Sequence, residues 1–519
     1  MVEQHWHGGV NCRISRAESE QVRALRSFPL WHQGVSRARM TRDHDKRGRS
    51  MTDGVFTETW AIALGEALHR TEAYRKAAKT WEGSVILEWS DAPLTMPTSE
   101  AMGCGVFLDL HHGDCRAGRM ATVQDYAAAR YVLSADLAVW NALLGGTLTP
   151  TMALLRGKLK LEKGSIGTLM PHVNAASELV RVAQTVNREP APAAPALASA
   201  VAPAPTTPTP AARASSRTLQ STSAVGLRYD LLPMKLWEKA KRLGTWNPSD
   251  IDFTRDRADW LTLAPDEQDM LLRLTSLFQA GEECVTLDIL PLLDVISQEG
   301  RLEEQLYLTS FLWEEAKHVE AFRRFFDQVA QEHSDLTRFH SASYHTIFAI
   351  ELPAAMGRLR TDASPIAQAR ASATYNMIVE GVLAETGYHM YHRVLTARGL
   401  MPGMQRVAAL LKADESRHLA YGIFLLSRLV AEHGDGVWDA ITERMEELLP
   451  SAIAIISEAF SAYPPDRIPF GLHPETFVTF ATGQFQRRMD RIERARHQSI
   501  AQINALEAVE SLEAQQIDT

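Results

Sequence analysis

The spacing of hydrophobic and polar positions changes along the chain, and the changes divide it. From Thr57 to Lys79, Trp60, Leu64, Ala67 and Leu68 fall on one helical face, which predicts an amphipathic helix. Short apolar runs follow at 84–89, 105–110, 130–133 and 158–161, and they predict strands. The last of these, Lys158-Leu-Lys-Leu161, alternates polar and apolar as a half-buried strand should. Helical spacing returns at Ala135–Leu144 and Ser165–Val186. This mixture predicts a compact α+β domain over residues 55–187.

From 227 to 519 the strand-like alternation is gone. Pro265 and Ser364-Pro365 suit helix starts, and Gly300 and Gly399 suit helix stops. Long helices are expected at 265–298, 302–331, 365–398 and 403–431, with two more near 436–460 and 474–512. An all-α, four-helix-bundle domain is the expected architecture. The two domains are separated at 188–226 by a stretch with seven prolines among Ala, Ser and Thr, from Pro190 to Pro210. Such a sequence cannot build a core and stays extended, so the domains are expected to be tethered rather than fused. Residues 1–54 carry many arginines and no sustained period; they are expected to be a disordered or spurious tail, with Met51 as an alternative start.

Polar residues on the apolar faces of the bundle helices alter this picture. Glu315-Ala-Lys-His318 and Glu415-Ser-Arg-His418 each put a carboxylate and an imidazole one turn apart on one helix face. One such pattern means little, and Glu66-Ala-Leu-His69 is read as a chance match on a surface helix. The other two are each preceded by a helix with an inward Glu, Glu282 and Glu380, at closely matching offsets. Two helices with one Glu and two with Glu-x-x-His form the ligand pattern of di-iron and di-manganese carboxylate bundles. Four Glu on apolar faces need cations. Mixed carboxylate and imidazole ligation suits iron or manganese, and spacing does not decide between them. Asp414 is either an outer partner of a ligand histidine or half of a surface pair. Glu283 and Glu314 are neighbours of the ligands.

Composition excludes several classes. The 519 residues carry a net charge of -9, which argues against a nucleic-acid binder. No apolar run reaches the length of a membrane span, and no secretory signal stands at the N-terminus. Four cysteines without a CxxC pair (Cys12, Cys104, Cys115, Cys284) fit a reduced, cytoplasmic setting.

Five blocks in order resemble the ligand-binding oxidases related to the ribonucleotide reductase small subunit. They are Ile251–Trp260, Ala280–Thr286, Glu314–His318, Tyr375–Tyr388 and Asp414–His418. The resemblance implies a ferritin-like oxidase using O2, with manganese at Glu282, Glu315 and His318 and iron at Glu380, Glu415 and His418; a di-iron pair is the variant. It implies a long-chain fatty-acid-like ligand at the metals and an ether link between Val285 and Tyr375. Tyr388 is a further candidate near the metals. The electron donor is unknown, and a homodimer is expected. The rival reading is a radical-generating ribonucleotide reductase small subunit. Against it, the usual radical position is Phe322, and Ala505–Thr519 has no Tyr or Trp to pass an electron on. Leu155-Arg-Gly-Lys-Leu-Lys-Leu161, after the helix around Trp140, resembles the lipid-binding domain of type 2 sterol carrier proteins. That implies a five-stranded sheet around an apolar tunnel. A third reading is a lipid-transfer protein whose metal centre is structural.

Overall fold

The computed structural model describes residues 55–92, 104–186 and 226–504. The tail at 1–54, nearly all of the linker and the final segment from 505 lie outside the described residues. The N-terminal domain is a mixed five-stranded sheet with helices against it. Its strands are β1 (Val85–Trp89), β2 (Cys104–His111), β3 (Asp114–Met120), β4 (Tyr131–Ala135) and β5 (Lys160–Lys163), in the order β3-β2-β1-β4-β5. Only the β1–β4 pair is parallel. Helices α1 (Glu58–Arg70) and α2 (Val173–Val186) cover the sheet with their apolar faces, burying Trp60, Leu64, Leu68, Leu179 and Val182.

Strand β3 is absent from the sequence expectation. Its residues, Asp-Cys-Arg-Ala-Gly-Arg-Met, include no β-branched or aromatic side chain, since an edge strand pairs on one side only. The readable signal is the two-residue turn before it: His112 and Gly113 both sit at positive φ, as a tight hairpin requires. The fourth expected strand lies two residues later than its alternation suggests.

The C-terminal domain is helical throughout its described length. Its main helices are α3 (Leu232–Leu243), α4 (Pro265–Asp288), α5 (Leu302–Phe325), α6 (Pro365–Ser372), α7 (Glu385–Thr396), α8 (Pro402–His433), α9 (Asp435–Glu458) and α10 (Pro474–Arg494). Of the expected helices, that at 474–512 ends at Arg494 and resumes at Ile500–Asn504, that at 302–331 ends in a π turn at Phe326–Ala330, and two more are interrupted. The first breaks after Asp288, where Pro291 begins a new turn at Leu290–Gln298. The other passes from α6 to α7 through a π-helical segment, Ala373–Ala384, whose wider turn is typical of functional sites. Hydropathy does not distinguish α from π winding, because both bury one side of a continuous helix. Glu66 and His69 are exposed side chains on the outer face of α1, with Glu66 paired to Arg70 at 3.0 Å.

The expectation of a free tether is corrected by packing. Met152, Leu155 and Met170 of the N-terminal domain are buried in the core of the helical domain, and Leu148 and Leu154 touch both cores. Thr149 Oγ1 donates to Glu446 Oε1 on α9 at 2.9 Å. A Pro-rich linker sets how the chain runs between the domains and leaves their faces free to dock.

Candidate metal centre

Helices α4, α5 and α8 and the π segment each bring carboxylates to the middle of the bundle. Ligand atoms of Glu282, Glu315, His318 and Glu415 lie within 4.8 Å of one another, as do those of Glu315, Glu380, Glu415 and His418. All six residues singled out from the sequence therefore meet, in two groups that share Glu315 and Glu415. Each is buried, the most accessible being Glu282 at 5%.

The orientation of the imidazoles is decisive for a metal. His318 and His418 both turn Nδ1 into the cluster, where neither nitrogen has a hydrogen-bond partner. Glu315, Glu380 and Glu415 each leave one buried oxygen unpartnered as well. Orphaned buried acceptors are costly, and here they converge on one place. Four carboxylates against two divalent cations leave no net charge, so the donor set fits a pair of such ions.

The outer nitrogens are held by a crossed arrangement. Nε2 of His418 lies 2.9 Å from Glu314 Oε2 on the opposite helix, and Nε2 of His318 lies 3.3 Å from Asp414 Oδ2. Each acid is the residue just before the Glu of the other Glu-x-x-His. A carboxylate on the far nitrogen fixes the tautomer and raises the basicity of the near one. The two acids are neutralised by the residues inside the motifs: Arg417 donates to Glu314 at 2.6 Å and also to Asp414, and Lys317 Nζ reaches Asp414 at 3.1 Å. Trp246 Nε1 donates to Asp414 at 2.8 Å, and its ring stacks over His318. Phe311 stacks on His418 with centroids 3.7 Å apart.

Spacing along one helix puts Glu314 out of register by one residue, yet it is the partner of His418. The readable signal is an acid preceding the Glu in both motifs. Asp414, open to two roles in the sequence, is fully buried and turned towards His318. Sequence spacing also misses Asn376, which donates to Glu380 Oε2 at 2.9 Å from one π turn earlier. Tyr375 Oη lies 3.3 Å from both Glu315 Oε1 and the Val285 carbonyl oxygen. Tyr388 Oη donates to Glu282 at 3.2 Å and Glu415 at 3.3 Å. Phe322 packs against Phe278 at 4.9 Å.

Without metal, protons take the cations' place. Burial pushes the Glu282 carboxyl up to about 8. Burial, then Glu415, pushes Glu380 well above the usual carboxylate range. Burial alone would lower the two imidazoles, but Glu282 beside His318 and Glu415 beside His418 raise both far above normal. Burial would also raise Glu315, and the positive charge of the protonated His318 and His418 beside it outweighs that and holds this carboxyl low.

A largely apolar cavity opens onto the cluster, enclosing about 720 Å³ with its open mouth included. Glu282, Glu315, Glu380 and Glu415 form its polar end. Leu274, Phe278, Val285, Phe348, Val379 and Ile456 are among the apolar residues lining the rest.

A family model described as ribonucleotide reductase, small chain, matches residues 233–494, and one described as the SCP-2 sterol transfer family matches residues 64–176. The chain belongs to the ribonucleotide reductase small chain family and carries an SCP-2 sterol transfer domain ahead of it. Among solved structures, the R2-like ligand-binding oxidase from Sulfolobus acidocaldarius is similar at 39% identity. That match covers 54% of this chain and 97% of that one, at a TM-score of 0.50. Two variants of an R2-like ligand-binding oxidase with aerobically reconstituted Mn/Fe cofactor are 38% identical over 52% of this chain and 96% of theirs, also at 0.50. Among the described residues no helix is long and apolar enough to cross a membrane.

Two outcomes are expected. Metal binding must expel the protons on Glu282, His318 and His418, so affinity should fall as pH drops, the Glu282 proton contributing a roughly tenfold loss per pH unit below about pH 8. The raised Glu282 carboxyl likewise favours the metal-free fold at low pH, and this contribution should be lost as pH rises through about 8. Chelator competition and denaturation across pH 6–9 would measure both; a pH-independent affinity would contradict the protonated cluster. Second, Glu314→Gln and Asp414→Asn should each weaken metal binding by about 10–100-fold through loss of imidazole orientation, read by the same competition.

Proposed function

We propose that the chain is an oxygen-using oxidase with one manganese and one iron ion, acting on a long-chain fatty-acid-like ligand. Residues 227–519 form the oxidase, and residues 55–187 supply the ligand. Manganese would be held by Glu282, Glu315 and His318, and iron by Glu380, Glu415 and His418. The observation that carries this reading is an apolar cavity ending on the four buried carboxylates of the carboxylate–imidazole cluster. A ligand with a long tail and an anionic head matches it: apolar walls take the tail, and a carboxylate head adds to the metals' ligands. The similarity to R2-like ligand-binding oxidases, two of them carrying a reconstituted Mn/Fe cofactor, supports the metal assignment.

When bound, the metal pair would supply electrons for reducing oxygen and the oxidising power for C–H cleavage. The protein's own residues do the rest. Val285 and the aliphatic wall position an unactivated C–H bond against the cluster and exclude water. Asp414 and Glu314 keep the imidazoles basic and oriented. Tyr375 holds its hydroxyl between Glu315 and Val285. Burial, then the Glu315 charge, keeps that phenol protonated, so its proton leaves only with an electron. Joining Val285 to Tyr375 removes one C–H and one O–H hydrogen and forms a C–O bond. The two electrons pass to oxygen. With Phe322 where a radical tyrosine would stand, the oxidising power has no phenol at that position to rest on.

The test loads the full chain with manganese and iron anaerobically and then admits air. Metal analysis should give near-equal manganese and iron. Peptide mass should show a linked Val285–Tyr375 pair two hydrogens lighter than its parts, and Tyr375→Phe should abolish it. Two bound metals and no link would favour a radical-generating small subunit. No bound metal would refute the proposal.

A further inference from the structure

From the cluster towards the start of α5 and the end of α8, the bundle interior carries a ladder of rings. Phe311 stacks on His418 with centroids 3.7 Å apart, and Tyr307 meets Phe311 edge-on at 6.1 Å. Tyr307 in turn packs against Tyr421 at 5.2 Å. Tyr307 and Phe311 stand one turn apart on α5, and His418 and Tyr421 one turn apart on α8, so the two helices supply two members each. All four are fully buried, and rings this close exchange electrons readily.

The ladder ends on a proton acceptor. Tyr421 Oη donates to Glu304 Oε2 at 3.0 Å. The other oxygen of Glu304 faces Arg428 at 3.3 Å and Arg301 at 3.8 Å, and both arginines reach Glu432 at 3.0 Å. Arg301 is one-third exposed, so this network runs from the buried phenol to solvent. Tyr307 is different, because its hydroxyl has no hydrogen-bond partner. A buried phenol that gives up an electron must also give up its proton, since a positive charge left in an apolar interior is costly. Tyr307 has nowhere to send one, and Tyr421 has. Tyr375 and Tyr388 also face carboxylates, but theirs are Glu315, Glu282 and Glu415, whose charge a bound metal takes up. Glu304 stands outside the ligand set and keeps its charge for Tyr421.

We propose that Tyr421 is a redox-active tyrosine that discharges the oxidised metal pair when no ligand fills the cavity. The inference rests on the oxidase reading above and adds a second outlet for its oxidising power. In this step the Tyr421 O–H bond breaks. One electron passes through Tyr307 and Phe311 to the oxidised pair, which is reduced by one electron, and the proton moves to the Glu304 carboxylate. The outlet is needed because Tyr375, once joined to Val285, has no O–H left to give, and most of the cavity wall offers only C–H bonds.

The experiment loads the full chain with manganese and iron anaerobically, adds no fatty acid and mixes it with oxygenated buffer. Samples frozen at set delays are read by electron paramagnetic resonance, and peptide mass is taken from the same samples. A tyrosyl radical should appear, and its spectrum should narrow in protein made with ring-deuterated tyrosine. Tyr421→Phe should abolish it at unchanged metal content. Glu304→Gln, which keeps the shape and removes the base, should cut its yield about tenfold, the size of a charge-assisted hydrogen bond. Glu304→Asp should restore part of it. Tyr375→Phe should raise it, because the link no longer competes for the oxidising equivalents. A Val285–Tyr375 link without a radical, or a radical that survives Tyr421→Phe, would overturn the role of Tyr421 and leave the oxidase reading standing. A Tyr421-dependent radical without the link would uphold the redox tyrosine and count against that reading. Neither radical nor link would overturn both.

Discussion

Four carboxylates buried at the centre of a helical bundle are the constraint on which the rest of the C-terminal domain depends. An isolated buried carboxylate is so costly that it normally takes up a proton, and four within a few ångströms also repel one another. Only a matching quantity of positive charge makes the arrangement stable. The helices provide six donors converging on one place, with Nδ1 of both histidines left open towards it. Around that centre lies a second layer of charge, in which Glu314 and Asp414 are balanced by Arg417 and Lys317. This layer lets the imidazoles be strong donors without adding net charge to the bundle.

The crossed pairing of the outer acids couples the two halves of the site. Because Glu314 serves His418 and Asp414 serves His318, neither Glu-x-x-His helix is complete alone. Any shift of α5 against α8 disturbs both histidines together. Buried networks of this kind rigidify a core when every member is satisfied, and they are expensive when one is removed. The π segment fits the same logic. It carries Tyr375, Asn376 and Glu380 within two turns, and its wider winding lets Asn376 reach Glu380 while Tyr375 approaches Val285. Phe278 stacks on Phe322 and Tyr388 nearby, giving the cavity a wall that does not yield easily.

Much of this is readable in the amino-acid order because the ligand rule is helical. Glu-x-x-His is a statement about one helix face, and its repetition behind Glu282 and Glu380 is a statement about four helices. Contacts that cross between helices leave weaker traces. Glu314 is one residue away from the proposed ligand Glu315 and carries the same charge, so spacing along one helix places it outside the pattern. Trp246 lies on a short connection far in sequence from Asp414 and has no local sign of its role. Strand β3 is hidden because an edge strand need not be apolar on both faces. The π winding is hidden because hydropathy reports which residues are inside, not how the backbone turns.

The relation between the two domains is the least legible feature, for a physical reason. A Pro/Ala-rich stretch suggests separation, but linker composition limits only the path between domains. Docking depends on whether complementary faces exist. Here the exposed sides of two cores are joined by Leu148 and Leu154, with Met152, Leu155 and Met170 pressed into the helical domain. Apolar side chains at such a boundary would be a liability on two independent domains, since each would expose them to water. Buried in one seam, they stabilise the pair. A tether then serves a different purpose, which is to hold the domains at high effective concentration, so that even a modest seam stays closed most of the time.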